Sequence, residues 1–105
     1  MPDSFVVLMT SPDEETSLML AKLLVESSLA ACVNIVPKLR SVYQWEGKLC
    51  DDSEQLLLAK TTEKRLPELI SKVKQAHPFE VPEIVALKIA AGNMDYLDWI
   101  ADICK

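Results

Sequence analysis

Glycine, histidine and cysteine are scarce in this chain of 105 residues. With only two glycines, Gly47 and Gly92, it has no glycine-rich loop of the kind that cradles phosphates. A single histidine, His77, and the lack of a G-x-S-x-G segment leave no serine-based catalytic triad. The three cysteines are an odd number without C-x-x-C spacing, which indicates neither a disulfide framework nor a thiolate zinc site. We therefore expect free thiols in a reducing compartment.

Positive charge and long apolar runs are also in short supply. Eleven basic residues against 16 acidic ones give a net charge of -5, whereas nucleic acids and anionic membranes select cationic surfaces. No apolar run approaches the roughly 18 residues of a membrane span, and the N-terminal MPDSFVVLM has an acid where a secretory signal carries positive charge. We expect a cytoplasmic protein with no nucleic-acid partner and no membrane partner. Half of the residues are hydrophobic, which suffices for the core of a single domain over residues 1–105.

The chain alternates between short apolar runs rich in β-branched residues and longer stretches with helical periodicity. The predicted elements are strands at 4–10, 31–45, 48–60 and 83–89 and helices at about 11–27, at about 63–76 and from Asn93 to the C-terminus. Ser11 is the predicted N-cap of the first helix, with Glu14 completing a capping box, and Asn93 is the predicted N-cap of the last. The order β-α-β-β-α-β plus a helix predicts an α+β, ferredoxin-like sandwich with an added C-terminal helix.

The two central strands, joined by a turn at Glu46 and Gly47, predict an unusually long hairpin. A 15-residue strand spans about 50 Å at about 3.3 Å per residue, whereas a compact domain of this length is about 33 Å across. The hairpin is therefore expected to overhang its own domain. Pro37 cannot donate a hydrogen bond to a neighbouring strand, so we predict a bend or bulge there.

The outer half of the hairpin carries Val42, Tyr43 and Trp45, with little of its own chain left to cover them. We expect these side chains to pack on neighbouring subunits in an obligate oligomer. The alternative is a hairpin that curls back on its own domain.

Five segments occur in an order and with a spacing that resemble the CutA family of divalent-cation tolerance proteins. They are AACVNIVP (30–37), SVYQWEGK (41–48), LLAKT (57–61), HPFEVPEI (77–84) and DYLDWI (95–100). The resemblance covers essentially the full chain. It implies a ferredoxin-like homotrimer, similar in assembly to PII signalling proteins, whose hairpins wrap adjacent subunits. It also implies binding of divalent metal ions, copper above all.

Residues 77–83, HPFEVPE, combine the one imidazole with two carboxylates in a stretch stiffened by two prolines. Mixed nitrogen and oxygen ligands suit Cu(II) or Zn(II), which makes His77 and Glu83 candidate ligands. The competing interpretation is structural: His77 ends a helix, where an imidazolium gains from the helix dipole, and Pro78 stops that helix. One histidine and distant carboxylates are too few for tight binding, so a metal site has to recruit other segments or other subunits.

Copper ligation in the family is associated with the end of the first strand and with the HP segment, and here those positions hold Met9 and Ala76-His77. The Met9 thioether would favour Cu(I), although a methionine that closes an apolar strand is more often part of the core. Cys32 ranks below His77, since a cysteine in an apolar run usually behaves as a small buried hydrophobe. The predicted metal ligands are therefore His77, Glu83, Met9 and Cys32.

A second group, Tyr43, Trp45, Glu54 and Lys60, is placed by the resemblance near a cleft between subunits, together with Glu83. An enzyme interpretation has Lys60 act as an acid or base beside one of the carboxylates. A lysine and a glutamate across a hairpin are more often a salt bridge, which we favour, and we do not expect an enzyme. Three classes of function remain: a trimeric metal-binding protein, a PII-like signalling or scaffold trimer that binds a small ligand or a protein, and the disfavoured enzyme that uses Lys60 and an acid.

Overall fold

A computed structural model describes residues 3–105. The elements are β1 (Ser4–Ser11), α1 (Glu14–Glu26), β2 (Cys32–Trp45), β3 (Lys48–Thr62), α2 (Leu66–Ala76), β4 (Ile84–Lys88) and α3 (Met94–Ile103). The strands form one antiparallel sheet in the order β2-β3-β1-β4. This is the ferredoxin-like arrangement predicted from the order of the elements, with α3 as the added helix.

The start of α1 differs from the prediction. Asp13 is the N-cap, and its Oδ1 accepts the Thr16 N–H at 2.7 Å, so the predicted capping box of Ser11 and Glu14 is wrong. Ser11 still belongs to β1, where it pairs with Gln55. Its hydroxyl donates to the Asp13 carbonyl at 2.8 Å and accepts from the Ser17 hydroxyl at 2.8 Å. The two serines thus brace the strand-to-helix turn while aspartate supplies the cap.

The second helix also begins later than predicted, at Leu66 instead of about residue 63. Residues 63–65 instead form a turn after β3, in which the Arg65 N–H donates to the Thr62 carbonyl at 3.1 Å. Pro67 then falls in the first turn of the helix, where its missing N–H has no partner to lose. The N-cap predicted for α3 is confirmed: the Asn93 side chain accepts the Asp95 N–H at 3.0 Å.

The core lies between one face of the sheet and helices α1 and α2. Alternate strand residues such as Val7, Met9 and Leu57 are fully buried against Leu24 and Val73 from the two helices. A smaller cluster of Ala31, Ile100 and Cys104 anchors α3. Within residues 3–105, no helix is long and apolar enough to cross a membrane.

The opposite sheet face, called the open face below, carries a second apolar set in the same strands. Cross-strand pairing places Leu8 beside Leu58 and Val85, and Leu56 beside Val36. Its members are Val6, Leu8, Val36, Leu56, Leu58, Val85 and Leu87. Val36, Val85 and Leu87 are 42, 46 and 50% exposed. The chain therefore presents an apolar sheet surface that α1 and α2 do not cover.

The hairpin projects beyond the sheet, as predicted. Strand β1 pairs with β3 only as far as Gln55, so the part of the hairpin over residues 39–54, called the arm below, consists of two strands alone. The longest molecular dimension is 44 Å, against 25 and 22 Å for the other two. The register shifts between Val36 and Leu39, where Lys38 has a φ of 62°, which confirms the irregularity predicted at Pro37. Glu46 and Gly47 both have positive φ, as the tight hairpin turn requires.

Candidate functional site

A groove with a volume of about 630 Å³ lies between the arm and the segment that joins α2 to β4. The arm contributes Tyr43, Trp45 and Glu54, and the segment contributes Phe79, Glu80 and Glu83. Concave sites for small ligands typically enclose about 300–1,000 Å³. The groove is therefore large enough for a small organic molecule.

His77 fixes the segment side of the groove. Its buried ring donates from Nε2 to the Thr10 carbonyl, at 2.8 Å, and accepts the Phe79 N–H at Nδ1, at 3.1 Å. Since Phe79 supplies the hydrogen at Nδ1, the proton of the ring lies on Nε2 and the imidazole is neutral. The Phe79 ring also packs against it, with centroids 4.8 Å apart. His77 thus ties the segment to the end of β1.

Glu54 is the least exposed of the three glutamates that line the groove, at 8%. Glu80 and Glu83 line the same groove from the exposed segment. No lysine, arginine or histidine of the described chain lines the groove. The electrostatics of the groove therefore favour a cation.

Two polar contacts stiffen the arm beside the groove. The Tyr43 hydroxyl donates to Asp52 Oδ2 at 2.5 Å, and Arg40 donates from Nε and Nη2 to both oxygens of Asp51, at 2.8 and 2.7 Å. The bidentate contact lowers the pKa of the Asp51 carboxyl. The hydrogen bond to Asp52, assisted by burial and by nearby negative charge, raises the pKa of Tyr43 to about 12. Tyr43 therefore stays a neutral donor over the physiological range of pH.

We predict that Asp52→Asn lowers the pKa of Tyr43 toward its ordinary value of 10.0. Because the pKa in the folded state is raised, the contact contributes stability below about pH 10 that is lost as the pH rises through about 12. The measurement is the tyrosinate absorbance of Tyr96→Phe protein, in which Tyr43 is the only tyrosine. Asp98→Asn, on α3, is the matched control and should not move the midpoint. Equal midpoints with and without the Asp52→Asn change would show that Asp52 does not set this pKa.

The predicted metal ligands do not meet in one chain. Met9 lies fully buried in the core, and the Cys32 thiol, half-buried at the start of β2, contacts the Asn34 side-chain oxygen at 3.9 Å. Glu83 is exposed at the groove, while both His77 ring nitrogens are hydrogen bonded. Within residues 3–105, no three His, Cys, Asp or Glu side chains are grouped to hold a metal ion. Ligation by these residues stays a prediction, and for His77 it requires one hydrogen bond to break.

The predicted cleft residues divide into two places. Tyr43, Trp45 and Glu54 line the groove together with Glu83, but Lys60 does not. Its ammonium group contacts the Asn34 side-chain oxygen, opposite Cys32 in the neighbouring strand. The described chain therefore forms no salt bridge between Lys60 and Glu54, and the acid–base pair of the enzyme interpretation is not assembled within one chain.

Two groove residues, Phe79 and Glu80, were not singled out from the sequence, and neither was Asp52, the hydrogen-bond partner of Tyr43. Phe79 and Glu80 belong to HPFEVPE, so they could have been predicted from that motif. Asp52 precedes Glu54 by two residues in an extended strand, which puts both side chains on one face of the arm. The alternation of side chains along a strand could therefore have identified Asp52 from the sequence.

The fold and the groove define a class: an α+β protein with a ferredoxin-like sheet, a projecting hairpin and an acidic groove beside that hairpin. Residues 5–103 match the family model described as CutA1 divalent ion tolerance protein, and the chain belongs to that family.

Its relatives span several kingdoms. The chain is 57% identical over 97 residues to the divalent-cation tolerance protein CutA of Thermus thermophilus, which covers 92% of this chain and 94% of that protein. It is 47% identical to the chloroplastic CutA of Arabidopsis thaliana over 92% of this chain, but spans only 53% of that longer protein. The crystal structure of CutA1 from Oryza sativa superposes with a TM-score of 0.95 at 45% identity, covering 99% of this chain and 95% of that one.

A further solved relative, from Archaeoglobus fulgidus, is titled a periplasmic divalent cation tolerance protein. It has a TM-score of 0.93 at 35% identity and covers 97% of this chain and 99% of that one. Chloroplastic and periplasmic names thus both occur among the relatives. Family membership supports a role in tolerance of divalent cations and leaves the compartment open.

Proposed function

We propose that this chain forms a cytoplasmic homotrimer that binds divalent cations, copper most strongly, and so contributes to metal tolerance. Membership of the divalent ion tolerance family supports the general role. The observation that carries the proposal is the groove lined by Glu54, Glu80 and Glu83 without a basic residue of the described chain.

The proposal of a homotrimer rests on three surfaces. The open face is apolar and uncovered by α1 and α2, and the arm extends from the domain with Leu49 80% exposed near its tip. Strands β2 and β4 are both sheet edges, with hydrogen-bonding groups available to a second chain. A ring of identical subunits covers all three surfaces at once.

Glu83 is the ligand that needs least rearrangement, because it is exposed at the groove. His77 has to release the Phe79 N–H or the Thr10 carbonyl before it ligates copper. Losing such a contact costs about 1–3 kcal/mol, so binding at this histidine is weak in one chain. The remaining ligands, including any supplied by Met9 or Cys32, have to come from the other subunits or from a rearrangement of this one.

We predict that the intact protein takes up Cu(II) more tightly than Zn(II), Ni(II) or Co(II), the order expected of mixed nitrogen and oxygen ligands. Glu83→Gln and His77→Ala should each weaken uptake by tenfold or more, as one ligand is lost. Isothermal titration calorimetry on the assembled protein measures this directly. Glu26→Gln, an exposed change on α1 with the same loss of charge, should bind like the parent.

Two results would contradict metal binding by His77 and Glu83. An unchanged isotherm for His77→Ala removes the imidazole from the site. Uptake that is weak for all four metals and insensitive to Glu83→Gln refutes metal binding at this segment. In that case the family role in tolerance has to operate through something other than direct binding here.

A second candidate function is a signalling or scaffold trimer that binds a small ligand in the groove. The observation that favours it is that two aromatic side chains, Trp45 and Phe79, line the groove. Aromatic rings pack on organic ligands, whereas a metal ion does not need them. Binding of a ligand that survives treatment with a chelator would favour this function over metal uptake.

A further inference from the structure

Strand β2 carries one residue more than its pairing with β3 requires. Val36 pairs with Leu56 and Leu39 pairs with Glu54, so three steps along β2 match two steps along β3. The extra residue forms a β-bulge at Lys38, which has a φ of 62°. Left-handed backbone of this kind is uncommon in residues other than glycine. The bulge is therefore a costly conformation that the surrounding structure has to hold in place.

The bulge changes which side chains of β2 lie on the side of the groove. Successive side chains of a strand point to opposite faces, and residues paired across two strands share a face. Before the bulge, Asn34 pairs with Leu58 and lies on the open face; beyond it, Tyr43 and Trp45, at odd positions, lie on the same side of the hairpin. The alternation along β3 is unbroken, so the change arises in β2 alone. The extra residue thus places the two rings where they line the groove.

The bulge lies where the arm loses the support of the rest of the sheet. It is opposite Gln55, the last residue of β3, towards the arm, that pairs with β1, and the partner of Gln55 is Ser11. His77 ties residues 78–83 to the Thr10 carbonyl, one residue earlier on β1. Both walls of the groove are therefore attached at the same end of β1, and the bend at the bulge sets the angle between them.

A second unfavourable feature occurs at the same place. Gln55 Oε1 is buried and has no hydrogen-bond partner in residues 3–105. Buried polar atoms without a partner are rare, and strained backbone tends to persist at positions that matter for function. The backbone of Lys38 and the side chain of Gln55 together favour a role for the bulge other than stability.

We propose that the bulge at Lys38 is the positioning device of the arm: it bends the arm toward residues 78–83 and so creates the groove. β-Bulges bend the strand that carries them and increase its twist. Trp45 lies six residues beyond Leu39, about 20 Å along the arm, so a small change of direction at the bulge moves this ring by several ångströms. The position of the arm matters for any ligand in the groove, so copper titrations do not decide this role.

Deleting Lys38 removes the bulge without changing the pairs of the arm. With one residue fewer, Val36 and Leu39 are two steps apart, as Leu56 and Glu54 are in β3, so the hairpin pairs regularly. We expect the distance between the arm and the segment to move outside the range found for the parent protein. Lys38→Gly is the matched control: glycine accepts a positive φ, so the bulge stays, the distance is unchanged and the midpoint of urea unfolding rises.

Pulsed electron spin resonance measures that distance between two nitroxide labels. They are attached at Gln44→Cys, exposed on the arm, and at Val81→Cys, 65% exposed on the segment. Cys32→Ser and Cys50→Ser remove the other accessible thiols, whereas Cys104 is only 1% exposed. Mixing labelled chains with an excess of unlabelled chains leaves one labelled chain in each assembly, so the distance measured lies within one chain.

The pKa of Tyr43 shows whether the arm is still paired. In Tyr96→Phe protein this pKa should stay at about 12 after deletion of Lys38, because Tyr43 and Asp52 both lie within the arm. An unchanged label distance overturns the proposal, since the arm then keeps its direction without the bulge. A pKa that falls to 10.0 also overturns it, since the bulge is then needed for the pairing of the arm and not for its direction.

Lys38→Val keeps the length of the chain and covers the case in which the shortened protein does not fold. A β-branched residue disfavours a positive φ, so this variant should shift or broaden the distribution of label distances, whereas Lys38→Gly should not. Equal distributions for Lys38→Val, Lys38→Gly and the parent overturn the proposal independently of the deletion.

Discussion

Leu58→Glu should convert the assembled protein to monomers. Leu58 lies on the open face, between Leu8 of β1 and Asn34 of β2. In the proposed trimer this face is buried, and a carboxylate placed there without a partner costs several kcal/mol at every subunit contact. Light scattering at micromolar concentration should show the mass falling from about three times the chain mass of 11.7 kDa to that of a single chain.

The matched control for this change is Leu18→Glu. Leu18 lies on α1, is 45% exposed and is outside the open face, so the same substitution should leave the assembly intact. Circular dichroism should show native secondary structure in both variants, because the core lies on the other side of the sheet. A Leu58→Glu protein that keeps the parent mass would exclude the open face as the interface. A monomeric parent would refute the homotrimer itself.

The long hairpin shows what the sequence predicts well. Its overhang followed from arithmetic on strand length, and the bulge followed from the missing N–H of Pro37; the structure has both, with 44 Å as the longest dimension and a register shift after Val36. These features depend on local chemistry alone. The N-cap of α1 depends on strand pairing as well as on local chemistry. Ser11 and Asp13 are both suitable N-cap residues, but Ser11 pairs with Gln55 and so remains in β1.

The predicted cleft between subunits stays a prediction, since the structure describes one chain. Tyr43, Trp45, Glu54 and Glu83 do line one site, but Lys60 is six residues from Glu54 along one extended strand, a separation of about 20 Å. That distance was available from the sequence and excludes a direct pair within the hairpin. The hydrogen bond from His77 to the Thr10 carbonyl was not available, since it joins positions 67 residues apart. Tertiary contacts of this kind decide whether a histidine is free to ligate a metal ion or has a structural role.

His77→Ala should lower the free energy of unfolding by about 2–4 kcal/mol, the cost of leaving buried hydrogen-bonding groups without partners. The Thr10 carbonyl and the Phe79 N–H both lose their contacts, and the Phe79 ring loses its neighbour. Since these contacts hold the segment against the end of β1, the groove should open as well. The fluorescence of Trp45 in Trp99→Phe protein should then shift toward that of an exposed ring.

Urea unfolding at one fixed protein concentration measures the loss of stability, because dissociation of a trimer makes the transition depend on concentration. Gln75→Ala, two residues earlier on the exposed side of α2, is the control and should change the free energy by no more than about 0.5 kcal/mol. If His77→Ala falls within the range of that control, the two hydrogen bonds contribute nothing and the brace is not structural. If His77→Ala is strongly destabilised, its loss of copper uptake does not identify a ligand. Glu83→Gln is then the test of metal ligation, provided that its free energy of unfolding is unchanged.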